Sequence, residues 1–307
     1  MMNWLMLAAA LLLSPFLRTL INRTKALVAG RQGPPWLQPY YDLAKLFRKG
    51  AVYSRTTSWV FRFSPVVGLA AGVCALLFAP QAGGGALCGF SGDLLLFIGL
   101  FSVARFFTVL AALDTGSAFC GMGASREAFY SALAEPTLLT GLGGLALVTR
   151  KISLGAMYAG IGAETLGSAL LPGVIFLAVA LLIVYLTENA RIPVDDPTTH
   201  LELTMIHEAM VLDHGGFDLG LIEYAGALKL WTLGLLIVNL FIAPGDFAPL
   251  YAVGGIFLLA VVTGFVESTM ARFALLRIPL LLTIALMLAV LWVTWAVLHL
   301  VRLAPAA

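Results

Sequence analysis

Apolar runs of roughly twenty residues, separated by shorter polar segments, follow one another along the whole chain. An α-helix needs about 20 predominantly apolar residues to cross a bilayer. We therefore predict membrane spans near residues 3–21, 60–79, 93–113, 131–149, 169–187, 224–243, 250–270 and 278–301. The first run lacks the basic start and the cleavage site of a signal peptide, so we expect it to remain as a span. The pattern predicts an all-α integral membrane protein of about eight transmembrane helices, folded as a single membrane domain over residues 1–307.

The composition excludes several classes of protein. The chain is 61% hydrophobic and 11% charged, whereas an average soluble domain is about 25% charged. A net charge of +2 is too small to indicate nucleic-acid binding. Cys74, Cys88 and Cys120 lie far apart and form no C-x-x-C motif. This spacing argues against an iron–sulfur cluster or another metal site within this chain.

Lysine and arginine predict how the chain is oriented. Seven of the eighteen fall between the first two spans, more than in any other connection, and the connections 80–92 and 244–249 carry none. Because cytoplasmic connections are enriched in these residues, we predict cytoplasmic loops at 22–59, 114–130, 188–223 and 271–277. Both termini are then outside. We expect a multi-pass protein of the inner (plasma) membrane.

Segment 188–223 concentrates the polar chemistry of the chain. It holds eight of the sixteen acidic residues and three of the four histidines. His200, His207 and His214 are spaced by seven, which puts successive imidazoles about 10 Å apart on a helix. That distance is too long for one shared metal ion, so a titrating role or hydrogen bonding to the neighbouring acids is favoured. The predicted segment must face water, a partner protein or a polar pathway.

Several ionisable residues lie at or inside the ends of spans, where a charge costs about 2.5–3.5 kcal/mol near the bilayer centre. Arg105 and Asp114 are about 13 Å apart along one helix, so they cannot pair with each other. Glu223 and Lys229 are six apart, which does not place them face to face. Each needs partners elsewhere, and a structural pair between helices is the alternative explanation for any one of them. As a set they predict a buried ion pathway formed by Asp114, Glu135, Glu188, Asp195, Glu202, Glu208, Glu223, Lys229 and Glu267.

The first cytoplasmic loop contains a second predicted element. After the turn-rich stretch 30–35, residues 36–49 alternate apolar and charged positions at roughly helical spacing. We predict an amphipathic helix at the membrane surface. It either anchors the chain to anionic lipid or walls a cavity, with Asp42 and Lys45 turned toward that cavity.

Five short motifs, in order along nearly the whole chain, carry a family resemblance. They are residues 31–34 with 42–46, residues 105–107 with 114–117, residues 123–127 with 135–136, Glu188 with 191–195, and residues 267–272. Together they resemble the membrane subunit shared by respiratory complex I (its subunit 1, the quinone-chamber subunit) and the group 4 membrane-bound hydrogenases. The hydrogenase-4 component C and formate hydrogenlyase type is the most similar form. Thr198 and His200 stand where the family has acids, and Gln32 and Ala118 also depart from the hydrogenase pattern.

The resemblance implies a subunit that performs no bond chemistry alone. It would dock [NiFe]-hydrogenase-like large and small subunits and an iron–sulfur subunit, and would link their redox events to proton or sodium movement through antiporter-like membrane subunits. No cofactor is expected in this chain, since the iron–sulfur clusters and any nickel–iron centre would lie in those partners. The docking and cavity residues would be Arg31, Asp42, Lys45, Arg126, Arg191, His207 and Arg272. Two alternatives stay open: a quinone-chamber subunit of a quinone-reducing enzyme, and a stand-alone ion transporter, although transporter-like repeats are not evident.

Overall fold

A computed structural model describes residues 2–161, 169–195 and 206–303. Eight helices are long and apolar enough to cross a membrane, which confirms an all-α, multi-pass membrane protein. The helices of the described residues are α1 (Met2–Val28), α2 (Gln38–Phe47), α3 (Trp59–Phe78), α4 (Asp93–Asp114), α5 (Ala118–Thr149), α6 (Leu154–Ile161), α7 (Leu171–Glu188), α8 (His207–Val211), α9 (Gly216–Val238), α10 (Ala248–Thr269) and α11 (Ile278–Leu303). Glu202 and His200 lie outside the described residues.

Several predicted span bounds are wrong, and the largest errors make a predicted span too short at its polar end. α1 continues to Val28, α5 begins at Ala118 instead of 131, and α9 begins at Gly216 instead of 224. The predicted loop 114–130 therefore shrinks to 115–117, and the predicted loop 188–223 ends at Gly215. Hydropathy averages over all faces of a helix, so a turn that carries polar residues toward other helices is scored as a loop.

The loops between spanning helices divide into two ends of the bundle. One end of the bundle carries α2, residues 189–195 and 206–215, and the segment 270–277, and we call it the α2 end. These segments lie at the same end because successive spanning helices run in opposite directions. α5 has 32 residues, about 48 Å at 1.5 Å per residue. That length exceeds the roughly 30 Å of a hydrocarbon core, so α5 extends beyond the apolar layer.

Two buried tryptophans hold the helices that carry the polar site. Trp292 of α11 packs against α5 and α7, and its indole N–H donates to the Gly141 carbonyl at 3.0 Å. A Cβ at Gly144 would lie 2.2 Å from Trp292 Nε1, so a side chain there would displace the indole. Trp231 of α9 is also fully buried. Trp292 thus holds α5 against α7, whereas the ring of Trp231 lies edge-on to Phe257 of α10.

The predicted amphipathic surface helix is confirmed as α2, although it is shorter than 36–49. None of its residues is buried, and it lies against α1 and α9. Two contacts attach it to α1: the Arg23 guanidinium lies 3.8 Å from the Trp36 ring centroid, and the Tyr40 hydroxyl donates to the Leu12 carbonyl. α2 therefore lies flat against the bundle and does not cross it.

Candidate functional site

Arg105 is the centre of a buried polar cluster between the spanning helices. It lies nine residues before the end of α4, and its side chain is 10% exposed. Its Nε donates to Glu127 at 3.1 Å, and its two terminal nitrogens donate to Glu135 and to Glu188. The rigid fork of a guanidinium suits this task, because five N–H groups point in different directions in one plane. One cation thus joins three carboxylates from α5 and α7.

Lys229 of α9 extends this cluster on its other side. Its Nζ lies 2.6 Å from the second carboxylate oxygen of Glu188, whose side chain is 7% exposed. The Ser102 hydroxyl donates to Glu135 at 2.8 Å. A small cavity of about 10 Å³ lies beside Arg105, Glu135 and Glu188, on the order of the space that one water needs.

We call Arg105, Glu127, Glu135, Glu188 and Lys229 the Arg105 cluster. It contains two cationic and three anionic side chains, so its formal charge is one negative. Glu127 and Glu135 lie on the same side of α5, because a spacing of eight residues keeps two side chains on one side of a helix. In such a cluster the charge of each member acts on the others, because opposite charges within about 4–6 Å stabilise one another.

His207 and Asp195 connect the Arg105 cluster to the α2 end. His207 Nε2 lies 3.4 Å from Glu127 Oε2. Asp195, which is buried, accepts the backbone N–H of Ile206 at 3.0 Å and of His207 at 3.3 Å. Arg272 lies 3.6 Å from the other oxygen of Asp195. The segment after α7 is therefore tied through Asp195 both to α8 and to the segment after α10.

A second buried cluster surrounds Glu267 of α10. Its carboxylate lies 2.9 Å from Lys25 Nζ of α1 and 3.4 Å from Arg191, and its side chain is fully buried. Two cations here face one carboxylate, the reverse of the imbalance in the Arg105 cluster. Arg191 follows Glu188 by three residues, so their Cα atoms are at most about 11 Å apart. The two clusters are neighbours along the segment that ends α7.

A larger cavity lies under α2. Its volume is about 310 Å³, and its walls come from α1, α2 and α9. Arg18 and Glu223 form an ion pair on its wall, and Asp42 and Leu43 line it from α2. Lys45 is exposed and is not among the lining residues, which fits the lipid-anchor alternative for that side chain. The cavity is amphipathic, with an ion pair at one side and apolar side chains at the other.

His214 occupies a different place from His207. Its ring stacks on Phe61 of α3, with centroids 3.9 Å apart and an interplanar angle of 3°. Burial lowers the pKa of His214, while the carboxylates of Asp218 and Asp213 act in the opposite direction. Burial and a hydrogen bond to Asp218 raise the pKa of Tyr53. The stacked imidazole packs the α8–α9 connection onto α3.

The other predicted site residues are dispersed. Asp114 accepts the backbone N–H of Ser58 at 2.6 Å at the start of α3, away from Arg105's carboxylates. Arg31 is exposed, and Arg126 and Glu208 are half-buried. Over residues 2–161, 169–195 and 206–303, no three His, Cys, Asp or Glu side chains are grouped so that they could hold a metal ion.

Three residues of these clusters were absent from the predicted site set: Arg105, Glu127 and Lys25. The sequence identifies Arg105 as an ionisable residue within a span but predicts no role for it in the site. Glu127 falls in the predicted loop 114–130, because the predicted start of the span lies 13 residues after the start of α5. The eight-residue spacing between Glu127 and Glu135 could have indicated that Glu127 belongs to the site. It is informative only when both residues are placed on one helix.

Comparisons with known proteins agree with this architecture. The model of the family "NADH dehydrogenase" matches residues 2–297. Hydrogenase-4 component C from Escherichia coli (strain K12) is 30% identical over 304 residues, covering 93% of this chain and 92% of the relative. Formate hydrogenlyase subunit 4 from the same strain is 29% identical over 249 residues, covering 81% and 79%. A chain of the membrane-bound sulfane sulfur reductase, an archaeal respiratory membrane complex, has the same fold, with a TM-score of 0.80, 20% identity and coverage of 96% and 98%.

Proposed function

The chain belongs to the NADH dehydrogenase family, among the membrane subunits of complex I-like hydrogenases and respiratory complexes. From that premise we propose that it anchors such an enzyme in the membrane and couples its electron transfer to ion movement. It docks a [NiFe]-hydrogenase-type peripheral arm with its iron–sulfur subunit, and it links electron transfer there to proton or sodium movement through antiporter-like membrane subunits. The observation that carries this proposal is the Arg105 cluster, which gathers three carboxylates around one guanidinium and one ammonium group among membrane-spanning helices.

The chemistry of the cluster suits a coupling role. Carboxylates that share one guanidinium titrate as a group, so a change of charge beside one of them alters proton binding by the others. Ionisable residues inside a membrane are costly, and pathways for ions or protons are a recurrent reason for their presence. Glu188 contacts both Arg105 and Lys229. It therefore joins α4 to α9 and is the member through which a charge change can pass across the bundle.

Orientation follows from the exposed cations at the α2 end. Arg31, Lys45, Arg48, Lys49 and Arg55 are all exposed there. Positive charge on short connections faces the cytoplasm, so the α2 end is the cytoplasmic face and both termini are outside. The peripheral arm then docks beside residues 189–195 and 206–215. Ile206 and Met210 pack inside this chain, so the proposed docking contacts are polar ones such as Arg31 and Arg126.

Glu188→Gln tests the proposed coupling. The amide keeps the shape of the side chain but cannot carry a proton. We expect the rate of coupled ion movement to fall by on the order of 100-fold, the lower end of what a positioned proton-transfer group contributes to a rate, while electron transfer continues. Electron transfer by the intact complex in membrane vesicles, measured together with ion movement, separates the two effects. Asp246→Asn, at an exposed site on the opposite end, is the control; normal pumping by Glu188→Gln would rule out the proposal.

The cavity under α2 supports the alternative of a quinone-reducing complex. Leu43 lines the cavity and Ala44 is exposed beside it. If quinone enters here, Leu43→Trp is expected to fill the space and remove quinone-linked turnover, whereas Ala44→Trp is expected to leave it unchanged. In a hydrogenase-type complex, hydrogen-linked turnover survives both changes. Measuring both activities on the two variants distinguishes the enzymes, and a selective loss of quinone reduction in Leu43→Trp favours the alternative.

A further inference from the structure

A group of exposed cations lies on the connection between α1 and α3. Residues 29–58 carry five basic side chains and a single acid, Asp42. Four of the five are exposed, pair with no acid of the described residues, and form what we call the cationic surface: Lys45, Arg48, Lys49 and Arg55. By contrast, Arg105 and Lys229 are each paired with a carboxylate between the helices. The charges of the cationic surface are therefore available to a partner of opposite charge.

α2 presents two different faces to its surroundings. The face toward the cavity consists of Gln38, Pro39, Asp42, Leu43 and Leu46. Tyr41, Lys45 and Arg48 are exposed, and their spacing of four and three residues puts them together on a second face of the helix. α2 thus has both of the roles that its sequence left open. One face walls the cavity, and the other carries cations outward.

The last turn of α2 is fixed to the first turns of α9. A Cβ at Gly220 would lie 2.9 Å from the Phe47 ring, so Phe47 rests directly on this glycine. The rings of Phe47 and Phe217 are 5.5 Å apart between centroids, and the Gly50 carbonyl lies against Gly216, the first residue of α9. The first turn of a spanning helix lies near the lipid headgroups. These contacts therefore hold the cationic surface at headgroup level.

Exposed aromatic side chains flank the cationic surface. Trp36 precedes α2 and Tyr41 lies on its outer face, and both are more than half exposed. Trp59 and Phe63, four residues apart at the start of α3, are also more than half exposed. Tryptophan and tyrosine collect at the membrane–water interface, because one side of the ring is apolar and the other polar. Aromatic rings interleaved with lysine and arginine on a surface helix suit anionic headgroups, and this favours lipid over an acidic protein as the partner.

We propose that the cationic surface binds the headgroups of anionic phospholipids in the leaflet at the α2 end. The four cations attract the headgroup phosphates, while Tyr41 and Trp59 rest between the headgroups and the acyl chains. Clusters of four to eight lysine or arginine residues beside a spanning helix are a recurrent means of binding anionic lipid. The bound lipid holds α2 against the bundle, so it stabilises one wall of the cavity. This interaction is separate from the coupling function, which depends on residues between the spanning helices.

Lipid binding to the purified complex tests this inference. The complex in detergent is titrated with phosphatidylglycerol and, separately, with phosphatidylcholine, and native mass spectrometry counts the bound lipids. In Arg48→Gln/Lys49→Gln we expect the affinity for phosphatidylglycerol to fall about 30-fold, because each lysine or arginine near an anionic membrane surface contributes about 1 kcal/mol. The affinity for phosphatidylcholine is expected to stay unchanged, since its headgroup carries no net charge.

Arg150→Gln/Lys151→Gln is the matched control, because it removes the same two residue types, also adjacent and exposed, at the opposite end of the bundle. We expect it to bind phosphatidylglycerol like the unchanged protein, and we expect Arg48→Lys/Lys49→Arg, which keeps both charges, to do the same. An equal loss in the two glutamine variants, or no loss in Arg48→Gln/Lys49→Gln, would overturn the inference. Release of peripheral subunits from that variant with lipid binding intact would also overturn it, since the partner would then be an acidic protein surface.

Discussion

Replacing Arg105 by methionine is expected to lower the free energy of unfolding by about 3–5 kcal/mol, the usual cost of removing one member of a buried ion pair. Methionine fills a similar volume but leaves Glu127, Glu135 and Glu188 facing one another around an apolar side chain. Only Lys229 would then remain as a cation in the cluster. Denaturant titration of the solubilised protein measures the loss, and the amount of assembled complex in membranes is expected to fall with it.

Arg105→Lys is the matched control for this variant. It keeps the charge but removes the fork, so one ammonium cannot reach all three carboxylates that the guanidinium joins. We expect an intermediate loss of stability. Adding Glu127→Gln to Arg105→Met is expected to recover part of the loss, since the double variant returns the formal charge of the cluster from two negative to one negative. This non-additivity measures the coupling between the two residues. Equal stability of Arg105→Met and the unchanged protein would show that the cluster is not a buried charged unit.

The second large effect is expected at Gly144. In Gly144→Ala the new methyl group would lie 2.2 Å from Trp292 Nε1, so the indole must move and its bond to the Gly141 carbonyl must lengthen or break. Overpacking of a core costs about 1–3 kcal/mol, and a lost hydrogen bond adds about 1 kcal/mol. α5 carries Glu127 and Glu135, so we also expect coupled ion transport to fall with stability.

Gly143→Ala controls for the effect of adding a methyl group to α5. A Cβ at Gly143 has no atom within 4 Å, and alanine favours a helix over glycine by about 1 kcal/mol. We therefore expect this neighbouring substitution to be neutral or stabilising. Thermal unfolding of both variants provides the comparison, and similar behaviour of the two would mean that Trp292 does not pack on Gly144 as described.

The sequence predicted correctly which charged residues on the same helix cannot pair with each other. Arg105 and Asp114 were predicted not to pair, and Glu223 and Lys229 likewise, because helix geometry fixes the distances within one element. The structure gives each a partner elsewhere: Glu223 contacts Arg18, and Lys229 contacts Glu188. The partners themselves could not be predicted, since they depend on how separate helices rotate against one another.

The predicted ion pathway is divided in the structure in a way that hydropathy could not reveal. Glu135 and Glu188 meet at Arg105, whereas Glu267 pairs with Lys25 and Arg191. Whether one route connects them stays a prediction, and Glu202 lies outside the described residues. A sequence pattern shows that such residues cannot face lipid. It does not show which of them share a cavity.

The sequence by itself determined the class of this protein, the number of its spans and the positions that lipid would not accept, because hydrophobic burial is a local sum over about twenty residues. The tertiary structure alone decided the charge balance of each cluster. Gly123 lets the start of α8 rest on α5, and this contact brings His207 to Glu127. Such pairings depend on close packing between distant segments, where a single methyl group can decide whether two helices touch.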